Sequence, residues 1–259
     1  MSYQFINFNI QDHIARIIFN RPEVYNSIHQ AMAFEIQNAL ELCKSHEVRC
    51  VVVQGSGKAF CAGQDLKEVV DPNGPRLQDI VREHYNPIIT AIRSLDKPVI
   101  CAVNGVAAGA GANIALSGDI VVATQSASFV QAFSKIGLIP DSGGTFFLQR
   151  LIGWNRASAL MMTGDKVMAA DALQMGMLYK VYEDNDFDNC VNALASKMAE
   201  MPTYGLALTK QALNNSLTSD LNRQLSIEEE LQTLAGQSYD YNEGVDSFLQ
   251  KRPPSFKGK

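Results

Sequence analysis

The chain has 259 residues, of which 46% are hydrophobic and 19% are charged, which fits one large domain or one domain with a helical extension. Its formal net charge of −5 excludes a global polycation of the kind that binds nucleic acid, although basic residues gather near the C-terminus. Because charged residues fall below the usual quarter of a soluble chain, we expect a homo-oligomeric contact to cover part of the surface.

Cysteine and histidine usage bounds the chemistry further. Five cysteines without a CxxC pair predict reduced thiols and a cytoplasmic location, and the four histidines show no metal-ligand spacing. The alternating N-terminal segment has no basic stretch followed by an apolar one, so no signal peptide is predicted. No apolar run is long enough for a bilayer, so no membrane association is expected.

In chain order, the first half alternates between strand and helix patterns. The predicted elements are a hairpin of Tyr3–Asn9 and His13–Asn20, helix Ala31–Cys43, strand Arg49–Gln54, helix Leu77–Leu95, strand Pro98–Val103, helix Asn113–Leu116 and strand Asp119–Ala123. This alternation predicts an α/β fold with a mostly parallel sheet, and DPNGP at Asp71–Pro75 predicts a mobile loop.

After Gly144 the pattern becomes mainly helical. The predicted helices are Phe146–Ile152, Ala157–Met162, Ala169–Gln174, Phe187–Met201, Tyr204–Ser216 and Leu221–Ala235.

Two segments of small residues each follow a predicted strand, namely AFCAGQDL at Ala59–Leu66 and NGVAAGAGANIAL at Asn104–Leu116. Two such turns can aim backbone N–H groups at one point, which makes an oxyanion hole for a thioester carbonyl. Taken alone, each segment is better explained by tight strand–helix packing. Gly109 and Gly111 also mimic a dinucleotide fingerprint, but its third glycine and its later acidic residue are missing, so nucleotide binding is not expected.

A third segment, Ala132–Gly153, places Asp141 between Pro140 and the flexible Ser142-Gly143-Gly144 just before a predicted helix. Considered alone, an Asp at this place is best explained as a helix N-cap, because its carboxylate can accept bonds from backbone N–H groups.

These segments, together with NRPEVYNSI at Asn20–Ile28, KPVICAVNGVAAGAGANIAL at Lys97–Leu116 and the C-terminal FLQKRPPSFKGK, resemble the crotonase (enoyl-CoA hydratase/isomerase) superfamily in order and spacing. The resemblance covers essentially the whole chain. HYNPII, AGAGAN and GLIPDSGG are most similar to the bacterial ring-1,2-epoxyphenylacetyl-CoA isomerases of phenylacetate degradation.

The resemblance implies a crotonase-like spiral of ββα units over residues 1–200 and a helical C-terminal region over residues 201–259 that mediates trimerisation. Trimers or pairs of trimers are the usual assemblies of the family. Carried over by position, the backbone N–H groups of Gln64 and Ala110 form the oxyanion hole.

The chain departs from the hydratase pattern at three positions. Hydratases carry catalytic glutamates where this chain has Asn113 and Phe133, and a small residue where it has Asp141. Relatives that move double bonds carry an acid at that last position. The resemblance therefore implies an isomerase with Asp141 as acid and base, which converts ring-1,2-epoxyphenylacetyl-CoA to oxepin-CoA or shifts a double bond in an enoyl-CoA. N-capping and catalysis by Asp141 are compatible.

Coenzyme A is part of such a substrate, so no separate cofactor is implied. Candidate contacts to the acyl-CoA are Arg21, Ala62, Asp65, Leu66, Lys67, Tyr85, Asn113, Phe133, Phe248 and Lys251. His84 and Asn86 fit an acyl pocket or a plain helix face equally well, and Cys61 fits a small core residue better than a nucleophile. The alternatives are a Δ3,Δ2-enoyl-CoA isomerase, a hydratase, and a non-catalytic RNA-binding homologue, for which the required basic helix is missing.

Overall fold

The computed structural model describes residues 3–259, in which ten strands form two sheets. The strands are β1 Ile6–Gln11, β2 Ile14–Phe19, β3 Cys50–Gly55, β4 Ala59–Cys61, β5 Val99–Val103, β6 Val106–Ala108, β7 Ile120–Thr124, β8 Ser128–Val130, β9 Lys166–Met168 and β10 Lys180–Tyr182. The α-helices are α1 Gln30–Leu42, α2 Leu66–Val69, α3 Leu77–Asp79, α4 Asn86–Ser94, α5 Ala110–Leu116, α6 Gly144–Ile152, α7 Trp154–Thr163, α8 Ala169–Met175, α9 Phe187–Glu200, α10 Thr203–Ser216, α11 Leu221–Gly236 and α12 Tyr239–Gln250. Over this range no helix combines the length and apolarity that a bilayer crossing requires.

The larger sheet confirms the predicted parallel arrangement. Its order is β1-β2-β3-β5-β7-β10, and every pair is parallel except the β1–β2 hairpin at the edge. Val51 and Val53 point to the main core, while Val52 packs on the opposite face against Val191 of α9 and its neighbours. Both faces are therefore covered, which explains why β3 is a continuous apolar run rather than an alternating one.

The smaller sheet, of order β4-β6-β8-β9, was not predicted. Each of its strands has three residues, too few for a periodic pattern. Short strands β4, β6 and β8 follow long strands β3, β5 and β7 along the chain, and β4, β6 and β8 pair in parallel. This repetition is the expected crotonase-like spiral, and helices α10–α12 form a helical C-terminal region.

The single helix predicted over Leu77–Leu95 is wrong in its middle. A π-helical stretch, Ile80–Tyr85, separates α3 from α4. Pro87 has no N–H to donate to the carbonyl of Glu83 four residues earlier, so that carbonyl needs another partner. The side chain of Gln37 donates to it at 2.7 Å and to the next carbonyl at 3.1 Å. Tyr85, the last residue of the π-helix, is buried in the core.

Helix α12 was also missed, because its sequence mixes charged residues with Gly244 in the helix interior. Helices α10 and α11 share a small apolar cluster, whose buried members are Leu208, Ile227 and Leu231.

Candidate active site

The two turns predicted to form an oxyanion hole are neighbours in the structure, because β4 and β6 pair in parallel and both turns follow their carboxyl ends. Gly63 has a φ of +90°, and a Cβ on it would lie 2.9 Å from the Ala108 carbonyl oxygen and 3.3 Å from the Ala110 nitrogen. A Cβ on Gly111 would lie 2.3 Å from the Cys61 carbonyl oxygen. The small residues therefore serve a close approach of the two backbones.

Both predicted N–H donors are free to bind a ligand. The N–H of Gln64 has no acceptor within residues 3–259. Its two neighbours are both bonded to Ile28: the Gly63 carbonyl accepts from the Ile28 N–H at 2.7 Å, and the Asp65 N–H donates to the Ile28 carbonyl at 2.9 Å. Ala110 is the first residue of α5, where a helix leaves its N–H without an internal partner. Two such donors on adjacent turns can stabilise negative charge on a carbonyl oxygen.

Asp141 lies half-buried in a tight turn with Ser142 and Gly143, whose φ values are +51° and +75°. Two successive positive φ values are typical of a type I′ turn. The Ser142 hydroxyl donates to Asp141 Oδ1 at 2.8 Å. Burial raises the pKa of the Asp141 carboxyl, and the Ser142 hydrogen bond partly counteracts that increase. A raised pKa suits a group that both removes and returns a proton.

The N-cap interpretation of Asp141 is wrong. The residue that caps α6 is Gly143, and no side chain caps this helix. The turn ties itself to the helix through the backbone, since the Gly144 N–H donates to the Asp141 carbonyl at 2.8 Å. The carboxylate is thus not needed for capping.

Asn113 and Phe133, the positions at which hydratases carry glutamates, are both close to these groups. Phe133 is buried, and its ring lies beside the Gly109 turn. A Cβ placed on Gly109 would lie 3.8 Å from Cζ of this ring. Asn113 is fully buried on α5, and its amide donates to the Asp141 carbonyl at 2.8 Å. Neither position supplies a carboxylate, so Asp141 is the acid among these three positions.

Tyr85, predicted as an acyl-CoA contact, forms a hydrogen bond with the side chain of Gln64, a predicted oxyanion residue. Its hydroxyl donates to Gln64 Oε1 at 2.9 Å, and Gln64 Nε2 donates to Glu68 Oε2 at 2.7 Å. Burial raises the pKa of Tyr85 well above its ordinary value, so the phenol stays protonated and remains a donor. Sequence reasoning missed this contact, since a continuous α-helix was predicted where the π-helix lies.

Several other predicted substrate contacts serve local structure. Arg21 and Asp65 form an ion pair at 2.9 Å, and Arg21 also donates to the Ser27 carbonyl at 2.7 Å. Asp65 caps α2 by accepting from the N–H of Lys67 at 3.0 Å. These bonds hold the segment that carries the Gln64 N–H.

The remaining predicted contacts have varied surroundings. Ala62 donates its N–H to the Tyr25 carbonyl at 2.9 Å, while Leu66 and Lys67 are exposed and follow the Gln64 turn in the chain. Phe248 and Lys251 are exposed at the end of α12, where Phe248 lines a cavity between the C-terminal helices. Within one chain, that cavity has no residue of the oxyanion turns in its lining.

Burial distinguishes the possible roles of three further residues, His84, Asn86 and Cys61. His84 is buried and places its ring 5.7 Å from that of Phe34, edge on, whereas Asn86 is exposed. Burial raises the pKa of the Cys61 thiol to about 12, so Cys61 is a small core residue as predicted and not a nucleophile. Among residues 3–259, no group of three or more His, Cys, Asp or Glu side chains is arranged for a metal ion.

Comparison with known proteins places this geometry in a family. Residues 9–259 match the family model described as Enoyl-CoA hydratase/isomerase. The chain is 46% identical over 260 residues, 99% of each sequence, to the 1,2-epoxyphenylacetyl-CoA isomerase of Escherichia coli (strain K12). It is 44% identical over 259 residues, the whole of both, to a Rhodobacter capsulatus protein named "Probable enoyl-CoA hydratase".

The fold comparison agrees. A crystal structure of an enoyl-CoA hydratase from Bacillus anthracis superposes with a TM-score of 0.92 at 32% identity, covering 99% of this chain and 100% of the other. Isomerase and hydratase names thus occur at similar identity, so overall identity does not separate the two activities. The chain belongs to the enoyl-CoA hydratase/isomerase family, with the crotonase fold.

Proposed function

We propose that this enzyme is an acyl-CoA isomerase that works with one carboxylate, Asp141, and an oxyanion hole formed by the N–H groups of Gln64 and Ala110. The observation that carries the proposal is the pattern of carboxylates around the hole. Asp141 is half-buried with a raised pKa, whereas the two hydratase positions hold a buried amide, Asn113, and a buried ring, Phe133.

The mechanism follows from these groups. Two N–H donors on the thioester oxygen stabilise the negative charge that develops there, which acidifies the proton on the adjacent carbon and favours an enolate. One carboxylate beside the acyl chain removes that proton and returns it two carbons away, so the double bond shifts. The same residue serves as base and then as acid, and the net reaction is an isomerisation without added water.

For the substrate we propose ring-1,2-epoxyphenylacetyl-CoA, which the enzyme converts to oxepin-CoA. The support is the 46% identity to a relative named 1,2-epoxyphenylacetyl-CoA isomerase, together with HYNPII, whose Tyr85 contacts the oxyanion turn. In this reaction the hole polarises the thioester and Asp141 assists opening of the strained ring. A double-bond shift in an enoyl-CoA uses the same groups and is the second candidate reaction.

Hydration is disfavoured by the chemistry of the site. Addition of water to a double bond needs one group that deprotonates the water and one that delivers a proton to the α-carbon. An amide at Asn113 cannot act as the base, and a phenyl ring at Phe133 can do neither. We therefore expect crotonyl-CoA to be hydrated far more slowly than by a dedicated hydratase.

The test is product analysis by mass spectrometry on a panel of CoA esters that includes the epoxide, a 3-enoyl-CoA and crotonyl-CoA. Wild-type enzyme should isomerise at least one of the first two. Asp141→Asn should lower that rate by about 100- to 10,000-fold, the usual contribution of a general acid–base group. Binding of CoA esters, measured by thermal shift, should persist in the variant. Isomerisation at the wild-type rate by Asp141→Asn, or hydration as fast as that of a dedicated hydratase, would contradict the proposal.

We also propose that the protein acts as a cytoplasmic homo-oligomer, a trimer or a pair of trimers. Large apolar side chains are exposed on separate elements, including Ile139, Trp154, Phe248 and Leu249, and the five cysteines are free thiols. Analytical ultracentrifugation at micromolar concentration should give the mass of three or six chains, and a monomer would contradict this assembly.

A further inference from the structure

We infer that Asn113 is a positioning residue that holds the Asp141 turn against the oxyanion helix, and that Gln131 holds Asn113 in turn. The inference rests on the proposed role of Asp141 as the acid and base. It assigns a function to the position at which hydratases carry a catalytic glutamate.

The Asn113 side chain has a defined partner at each end of its amide. Its Nδ2 donates to the Asp141 carbonyl at 2.8 Å, and its Oδ1 accepts from Gln131 Nε2 at 2.8 Å. Asn113 and Gln131 are both buried. Because a buried amide with both ends bonded is fixed in orientation, Asn113 is a rigid link rather than a group available to a substrate.

The turn lies very close to this link. A Cβ on Gly144 would lie 2.3 Å from Asn113 Nδ2, so a side chain at residue 144 would separate the turn from the helix. The Asp141 carbonyl accepts from both Asn113 and the Gly144 N–H. These two hydrogen bonds fix the position of the Asp141 backbone, and they therefore limit the positions that its carboxylate can reach.

The same helical turn holds both parts of the catalytic machinery. Ala110, which supplies one oxyanion N–H, and Asn113 are three residues apart in α5, and the Asn113 N–H donates to the Gly109 carbonyl at 3.2 Å. All seven residues of α5 are buried, so this helix cannot shift without repacking the core. The separation between the thioester oxygen and the carboxylate is thus determined within one turn of a rigid helix.

The Asp141 turn needs such a link because its backbone is not intrinsically favoured. Ser142 has a φ of +51°, a region that few residues other than glycine adopt readily. Without the Asn113 bond, we expect the turn to sample other conformations and the carboxylate to leave its productive position.

An ionised glutamate at residue 113 could not form this link, since a carboxylate accepts hydrogen bonds and has no proton to donate to a carbonyl. An ionised glutamate at this position and the Asp141 turn are therefore mutually exclusive in this chain. Asn113→Glu should lose isomerase activity without gaining hydratase activity.

The decisive measurement is kcat and KM for the isomerised CoA ester in Asn113→Leu combined with Gln131→Leu, which removes both partners of the buried bond together. We expect kcat to fall by about 100-fold, the effect of displacing a catalytic group by about 1 Å. The KM should stay within about threefold, because the oxyanion N–H groups are backbone atoms and remain in place. Asn113→Asp, which keeps the acceptor for Gln131 but loses the donor to Asp141, should also lower kcat.

The pH profile gives a readout that a purely structural role would not change. In Asn113→Asp, a second carboxylate close to Asp141 should raise the pKa of the catalytic acid, so the acidic limb of kcat/KM moves to higher pH. The matched control is Ser117→Ala at the other end of α5, where the buried hydroxyl donates to the Ile114 carbonyl at 2.7 Å. This control should lower the melting temperature and leave kcat and the pH profile unchanged.

The outcomes separate the two proposals. If Asp141→Asn is inactive while the Asn113 variants keep the wild-type kcat and pH profile, the positioning role is wrong and the proposed function stands. If Asp141→Asn is active, the proposed function fails first. If the double variant does not fold, the single variant Gln131→Met is measured instead, because it removes the N–H that holds the Asn113 side chain. A wild-type kcat in Gln131→Met would also overturn the inference. Efficient hydration by Asn113→Glu would overturn it as well.

Discussion

The region of the proposed oxyanion hole and the C-terminal helices are built in opposite ways. Around the proposed hole, strands β4 and β6 bring two glycine turns into backbone contact, and every residue of α5 is buried. Helices α10 and α11 share a small apolar cluster, and large side chains of α10–α12 such as Leu213, Leu221 and Phe248 are more than half exposed. One region is defined by close packing, whereas the other leaves apolar surface for a further contact.

The attachment of the C-terminal helices depends on a few charged side chains. Lys210 of α10 donates to the Ile92 carbonyl at 2.6 Å and pairs with Asp119 at 2.7 Å. Arg49, which directly precedes β3, donates to the carbonyls of Met201 at 2.7 Å and Phe256 at 3.1 Å. Substitutions near the hole should therefore change the rate, and substitutions at these attachments should change stability.

Of the predictions that contrast these two regions, the largest effect is expected at the proposed oxyanion hole. Ala110→Pro removes one N–H donor at the first position of α5, where proline is otherwise tolerated. The isomerisation rate should fall by about 100- to 1,000-fold, the usual effect of losing one oxyanion donor. Ala110→Gly keeps the N–H and serves as the control in steady-state kinetics. Full activity in a well-folded proline variant would remove Ala110 from the hole.

A large effect on stability is expected at the attachment of α10. Lys210→Met keeps the aliphatic length but leaves two carbonyls and part of the Asp119 charge unpaired. We expect a loss on the order of 3 kcal/mol, because breaking a buried pair is costly, with kcat unchanged. The melting temperature should fall by about 2–4 °C per kcal/mol. The exposed Lys197→Met is the matched control, and equal losses in both variants would argue against the attachment.

A smaller effect is expected at Tyr85. Tyr85→Phe removes the hydroxyl that donates to the Gln64 side chain and leaves the ring in place. Loss of one neutral hydrogen bond corresponds to about 0.5–1.5 kcal/mol, so the rate should fall by about two- to twelvefold. The reduction should appear in kcat, accompanied by a fall of at most a few degrees in the melting temperature. A change in stability alone would assign Tyr85 to the packed core rather than to the oxyanion turn.

The smallest effect is the pH dependence of stability at Asp141. Burial raises the pKa of this carboxyl in the folded protein, so its ionised form opposes folding above the ordinary pKa of an Asp. Asp141→Asn should therefore raise the melting temperature slightly at neutral pH and have no such effect below the ordinary pKa. In the wild type, kcat/KM should fall as pH drops through the raised pKa. A variant less stable than wild type at neutral pH would contradict this sign.

The sequence predicted the elements that carry long periodic patterns and missed those that depend on contacts. Strand β3 and helix α1 were predicted within one residue at each end, since their apolar patterns are continuous. The π-helix was missed, although Pro87 was its local signal. The three-residue strands have no periodicity to detect.

The candidate site shows the same division. The resemblance located Gln64, Ala110 and Asp141, and the structure brings the two oxyanion turns together. The link through Gln131 was not predicted, because it joins residues 18 positions apart through side chains. The N-cap expectation for Asp141 failed because local propensity describes the helix end and not the backbone turn that replaces the cap.

The π-helix links the number of residues in this segment to the direction of the Tyr85 side chain. A π-turn holds one more residue than an α-turn between the same two ends, so Ile80–Tyr85 acts as a one-residue insertion in an otherwise continuous helix. Deleting one residue from it would restore the α-helical register and rotate Tyr85 by about 100° around the axis, the angle between successive residues. Its hydroxyl would then leave Gln64. The hydrogen bond between Tyr85 and Gln64 thus depends on this extra residue as well as on the tyrosine itself.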